Sequence, residues 1–169
     1  MSKARELGLE GLIGKRSGSQ YEAGKRTGAW VKIKLHLEQE FVIGRYTEPE
    51  GARKHFGALL VGFYEGKRFK FAGRVGTGFS EKLLSSLFSD LNEIRIEKCP
   101  FLNLPAAGRS RWDQGLTAAE MKRCHWVKPT MVCQIKFTEW TRDDRLRQPV
   151  FLGIREDKNA DEVIREEAS

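Results

Sequence analysis

Apolar and polar side chains alternate with a period of two over several stretches of this 169-residue chain, and one stretch departs clearly to helical spacing. From Arg68 to Val75, Phe69, Phe71, Gly73 and Val75 fall on one side while Arg68, Lys70 and Arg74 fall on the other, giving one core face and one cationic face. Met131 to Trp140 repeats the pattern, with Met131, Cys133, Ile135 and Phe137 set against Gln134, Lys136 and Thr138. Further strands are expected at Leu9 to Lys15, Ala29 to Leu35, Glu40 to Tyr46, Ala58 to Glu65 and Val150 to Ile154. Gly66 supplies a tight turn, and Thr141 to Arg145 a polar one.

The helical stretch opens at Ser80, an N-cap, with Glu81 where the helix dipole favours an acid. Leu83, Leu84, Leu87, Phe88 and Leu91 then recur on one face. Glu93 to Gly115, which holds Pro100 and Pro105, reads as an irregular connection. Thr117 to Glu120 is a capping box opening a short helix, and Asp161 to Glu167 is expected to form another. Many short strands with one inserted amphipathic helix predict a mainly β fold, a closed or partly open barrel of OB type, with an open sandwich as the alternative.

Two strands cannot bury a face by themselves, so the first pair, joined by a Gly- and Ser-rich loop at 17–28, reads as the broken end of a larger sheet. That divides the chain into residues 1–36 and a barrel domain at 37–169.

Thirty basic residues against 23 acidic give a formal charge of +7 and an isoelectric point near 9.5. A polyanion, nucleic acid first, is the partner this charge favours, although an unspecialised basic surface has the same composition. Cys99, Cys124 and Cys133 have neither disulfide-framework nor zinc spacing, and His36, His55 and His125 are scattered, so no metal cage is encoded and a reducing setting fits. No apolar run approaches a membrane span, and no secretory leader is read at the N-terminus.

Three charged strings carry the candidate chemistry. Glu10, inside an apolar strand, is either a hard oxygen donor for a divalent cation or a strand-edge acid paired with Lys15 or Arg16. Trp30-x-Lys32-x-Lys34 points two ammonium groups to one side of a strand, where they could clamp a phosphate or stand in solvent. Arg147-x-Pro149 and Arg155-x-Asp157-Lys158 bring cations to the end of the last strand, with Asp157 available to orient one of them, or form a charged C-terminal turn. Gly73 to Gly78, ahead of a helix, reads as a phosphate cradle or a plain glycine-rich turn.

Taken in order, Glu10-Gly-Leu-Ile-Gly-Lys-Arg16, Trp30-Val-Lys-Ile-Lys34 and Arg147-Gln-Pro-Val-Phe-Leu-Gly-Ile-Arg-Glu-Asp-Lys158 resemble motifs of the ATP-dependent DNA ligases. The likeness extends through Phe41 to Tyr46, Phe56 to Gly62, Ala72 to Phe79 and Phe137 to Arg142, covers nearly the whole chain from about Gly8, and is nearest to the ligase module of the bacterial end-joining ligase D. It implies an OB-fold domain preceded by the end of a nucleotidyltransferase, or adenylylation, domain. The implied chemistry is transfer of AMP from ATP to a lysine, then to a 5′-phosphate, followed by displacement of AMP by a 3′-hydroxyl. By this resemblance Glu10 supports Mg²⁺, Lys15, Lys32 and Lys34 bind the nucleotide, and Arg155, Asp157 and Lys158 attend the departing pyrophosphate. Arg68, Lys70, Arg74 and Arg147 are the candidates for contact with DNA. Implied partners are nicked or broken duplex DNA, the rest of the adenylylation domain and end-joining proteins, in the cytoplasm of a bacterium or archaeon at its nucleoid. No Lys-x-Asp-Gly occurs in the chain, so the polypeptide is expected to be the inactive C-terminal part of such an enzyme. The alternative is a non-catalytic OB module that binds nucleic acid or, through the helix at Ser80 to Leu91, another protein.

Overall fold

A computed structural model describes residues 11–20, 28–49, 51–104 and 125–166. Two sheets are present among the described residues. Strands β1 (Gly11–Lys15) and β2 (Trp30–Lys34) form an antiparallel pair in which Lys15 faces Trp30 and Gly11 faces Lys34. The second sheet contains seven strands: β3 (Leu37–Tyr46), β4 (Leu59–Glu65), β5 (Arg68–Val75), β6 (Arg95–Ile96), β7 (His125–Val127), β8 (Val132–Phe137) and β9 (Val150–Arg155). Helix α1 (Glu81–Glu93) lies between β5 and β6 in the chain.

The long strand β3 organises the sheet, because it pairs with β4 on one side and with both β7 and β8 on the other. Pairing then runs on from β4 to β5 and from β8 to β9. The two ends of that path meet: the Leu146 amide donates to the Ala72 carbonyl at 2.9 Å, and the Phe151 amide to the Thr77 carbonyl at 3.0 Å. The result is the expected OB-type barrel with α1 inserted.

Closure depends on three register shifts, each adding one residue to a strand: Gly44 in β3, Ala72 in β5 and Leu152 in β9. Such bulges bend a strand and sharpen its twist. At Gly44 a side chain is sterically excluded, since a Cβ there would sit 2.5 Å from Phe101 Cζ and 2.8 Å from Phe69 Cε1. Inside the barrel Phe41 packs against Phe137 and Trp140, and Phe63 meets Trp140 edge-on. Phe101 closes a second layer, stacking on Phe69 at 4.6 Å and meeting Phe71 edge-on. Helix α1 buries Leu84, Leu87 and Leu91, and the Ser80 hydroxyl accepts from the Leu83 amide at 3.3 Å, so its expected cap and apolar face are both in place.

Several expectations need correction. The bulge at Ala72 breaks the simple alternation of β5: Phe69 and Phe71 lie across from Tyr64 and Gly62, whereas Gly73 lies across from Val61. Cross-strand partners share a face, so Arg74, opposite Leu60, is on the side of Phe69 and Phe71, and Lys70, opposite Phe63, is not. The single cationic face is therefore divided. Strand β3 starts at Leu37, before the expected Glu40, because Leu37 to Gln39 find partners on β8. Strand β8 ends at Phe137, and Trp140 instead bridges Leu146 across the 141–145 turn. Strands β6 and β7 were not expected; each is too short to show a period and exists through its neighbours.

Residues 161–166 do not form the expected helix, and Glu167 lies outside the described residues. One 3₁₀ turn at Ala160–Glu162 is followed by extended chain, because Val163 is drawn into the core and backbone groups from Val163 onward bond to the barrel. The Val163 carbonyl accepts from the Tyr64 amide at 2.7 Å, and the Gln39 side chain donates to the Ile164 carbonyl and accepts from the Glu166 amide. The capping box at Thr117 to Glu120 lies outside the described residues.

Candidate functional site

Strand β9 ends at Arg155, which brings its guanidinium to the outside of the barrel beside β8 and β3. Asp157, two residues on, grips it as a fork, with Nε to Oδ1 and Nη2 to Oδ2 both at 2.8 Å. The third nitrogen, Nη1, donates to Glu40 Oε1 on β3 and to Gln134 Oε1 on β8, each at 3.2 Å. Glu40 and Gln134 are direct cross-strand partners, so the register of β3 on β8 sets both acceptors side by side. Lys158 joins the cluster at 3.7 Å from the other Glu40 oxygen. Beside it runs a groove of about 420 Å³ between α1 and the β8–β9 end, with Leu83, Leu87 and Asp90 on one wall and Ile154, Arg155 and Lys158 on the other.

The electrostatics follow the geometry. The Arg155 fork holds the Asp157 carboxyl well below the usual carboxylate range, at about 2, and Asp157 in turn pushes the guanidinium further from deprotonation. A planar guanidinium fixed by a bidentate carboxylate at a strand end, with an ammonium nearby, matches the oxygen geometry of a phosphate. The sequence pointed to Arg155, Asp157 and Lys158 but not to Glu40 or Gln134. Their signal is weak in a linear chain, polar residues at outward positions of two otherwise apolar strands, and they become partners only through the sheet.

The remaining candidates are dispersed. Lys15 ends β1 with its ammonium 5.0 Å from the centre of the Trp30 ring. The register of β1 on β2 gives Lys15, Lys32 and Lys34 positions on one face. Glu10 lies outside the described residues, and among those described no group of three or more His, Cys, Asp or Glu is gathered to hold a metal ion. Of the candidates for DNA contact, Lys70 pairs with Glu65 at 2.7 Å, Arg147 pairs with Glu139 at 2.5 Å, and Arg68 is exposed at the start of β5. The glycine-rich turn before α1 packs against β9: Gly78 has φ +96°, and a Cβ there would lie 2.1 Å from the Phe151 carbonyl oxygen. It is a packing turn.

Comparison with known proteins gives consistent likenesses. The family described as ATP dependent DNA ligase C terminal region matches residues 52–158. The multifunctional non-homologous end joining protein LigD of Pseudomonas aeruginosa is 41% identical over 169 residues, covering 98% of this chain and 19% of that protein. The crystal structure of the ligase domain of Mycobacterium tuberculosis LigD superposes with a TM-score of 0.67 at 37% identity, over 98% of this chain and 50% of that one. A mycobacterial DNA ligase D complexed with ATP and MES gives a TM-score of 0.62 at 37% identity, with the same coverage. The chain thus spans about a fifth of the length of the LigD protein and half of the solved ligase domains.

Proposed function

Because the chain belongs to the C-terminal region of the ATP-dependent DNA ligases, we propose that it is the OB-fold domain of an enzyme that seals nicks or breaks in duplex DNA. In this proposal it positions the ATP phosphates at the first step and clamps the duplex at the later ones. The observation that carries the reading is the Arg155 guanidinium, locked by Asp157 at the end of β9 with Lys158 beside it.

ATP, when bound, supplies the AMP that is transferred and pyrophosphate as the leaving group. The residues of this chain act by position and charge, which is what in-line displacement at phosphorus requires. Arg155 presents oriented N–H donors to phosphate oxygens, Lys158 adds a mobile point charge, and Asp157 fixes the plane of the guanidinium. Lys15, Lys32 and Lys34, on one face of the β1–β2 pair, are the candidates for the nucleotide on the other side. Glu10 is an oxygen donor of the type Mg²⁺ prefers, and Mg²⁺ enters the proposal through it. Residues 1–36 would complete an adenylylation domain that carries the nucleophilic lysine, and residues 37–169 would form the clamp. Exposure of Ile13, Val31 and Ile33 on the two-stranded sheet favours such a covering partner. Arg68, Lys70, Arg74 and Arg147 remain the candidates for DNA. Action in the bacterial or archaeal cytoplasm at the nucleoid, with end-joining proteins as partners, completes the reading.

The test uses the complete ligase module, with the adenylylation domain present. Arg155→Ala should reduce lysyl-AMP formation from radiolabelled ATP by about a hundredfold, the scale of losing one charge-stabilising donor. Sealing of a nick that already carries 5′-AMP should be much less affected. Equal loss of both steps would remove Arg155 from the ATP-phosphate role.

A further inference from the structure

We propose that Glu40 competes with phosphate for Arg155 and Lys158, so that it is a positioning residue which holds these cations on the barrel and yields them to a polyphosphate. The inference rests on the phosphate role proposed for Arg155 and Lys158.

Four of the five N–H donors of Arg155 are engaged within the protein, and the two acids among its partners hold it differently. Asp157 is two residues away in the chain, bonds two nitrogens at 2.8 Å, and travels with the arginine. Glu40 comes from β3, reaches only Nη1, and does so at 3.2 Å, with a second and longer contact of 3.7 Å to Lys158. Gln134 offers Nη1 an uncharged oxygen at the same 3.2 Å. The two 3.2 Å bonds on Nη1 are the ones a ligand oxygen can replace, and of the two acids Glu40, with its long and single bond, yields before Asp157.

Charge points the same way. Arg155 and Lys158 contribute two positive charges, and Asp157 and Glu40 cancel both. Asp90 and Glu156 line the same groove, so an incoming polyphosphate meets surroundings of net negative charge, and the two cations become available to it only as Glu40 lets them go. Glu40 has reason to stay paired otherwise, since its side chain is only 16% exposed and a half-buried carboxylate without a partner is costly. Holding the cations and lowering their phosphate affinity are then one property. It would let pyrophosphate leave and the clamp release its ligand.

The experiment measures binding of inorganic tripolyphosphate to the 169-residue chain by calorimetry at low ionic strength. Glu40→Gln keeps the shape and removes the charge, and should bind about two- to fivefold more tightly, the scale of one partly exposed charge pair. In an Arg155→Ala, Lys158→Ala background the same substitution should give no gain. A carbon-13 titration of the wild-type chain is a second readout that needs no variant, since the Glu40 carboxyl signal should move toward its solvent-exposed value as tripolyphosphate is added. Unchanged or weaker binding by Glu40→Gln, with weaker binding by the double alanine variant, would make Glu40 a scaffold and overturn the inference alone. Unchanged binding by the double alanine variant would instead remove the phosphate role on which the inference rests.

Discussion

Asp157 shows how one short-range contact sets a residue's behaviour. Its carboxyl titrates at about 2 in the folded chain because the Arg155 fork favours the charged form, against about 3.9 in an unstructured chain. A depressed carboxylate adds stability above its unfolded value and loses it as pH falls through the folded one. The fork should therefore be intact at neutral pH and weaken between about pH 4 and 2. Carbon-13 titration of the Asp157 carboxyl is the measurement, and a midpoint near the ordinary aspartate value would show that the fork does not form in solution. The contact was legible in the sequence because Arg155 and Asp157 are two apart at a strand end. Glu40 was not, because 115 residues separate it from Arg155. Gly44 is the steric counterpart: Gly44→Ala would push a methyl into the Phe101 and Phe69 rings and should cost about 1–3 kcal/mol in chemical denaturation.

At the scale of elements, the sequence located those whose pattern is local. Strand β5 occupies the expected residues, and α1 begins at the expected cap with the expected leucines inward. Elements that depend on a partner were missed or misjudged. Strand β7 has three residues and is defined by β3 and β6, and the cationic face of β5 is split by a bulge whose place is fixed by pairing with β4. The C-terminal segment is the sharpest case, since its composition suits a helix but Val163 gains more from the barrel core. Val163→Ala should cost about 1–3 kcal/mol of stability and loosen residues 163–166, seen as faster amide exchange at Tyr64, whose N–H bonds the Val163 carbonyl. Unaltered exchange at Tyr64 would mean that the segment does not depend on its buried valine.

For the whole molecule, the charge of +7 predicts DNA binding that is modest and steeply salt-dependent. With about three phosphate contacts, affinity should fall by roughly tenfold to a hundredfold between about 50 and 200 mM salt, and a curve indifferent to salt would contradict an electrostatic grip. Incubation of the chain with radiolabelled ATP and Mg²⁺ should leave it without covalent label, because it has no Lys-x-Asp-Gly. Robust labelling would place a nucleophile within these 169 residues.

By itself the sequence determined the family, the mainly β class, the capped helix and the cations at the end of the last strand, since all of these are written in local periodicity or short motifs. Only the tertiary structure decided where the strands bulge, what the C-terminal segment packs on, and that Glu40 and Gln134 stand against Arg155. The physical reason is range. Alternation and capping act between residues a few positions apart, whereas register, closure and an ion pair across three strands exist only once β3, β8 and β9 lie side by side.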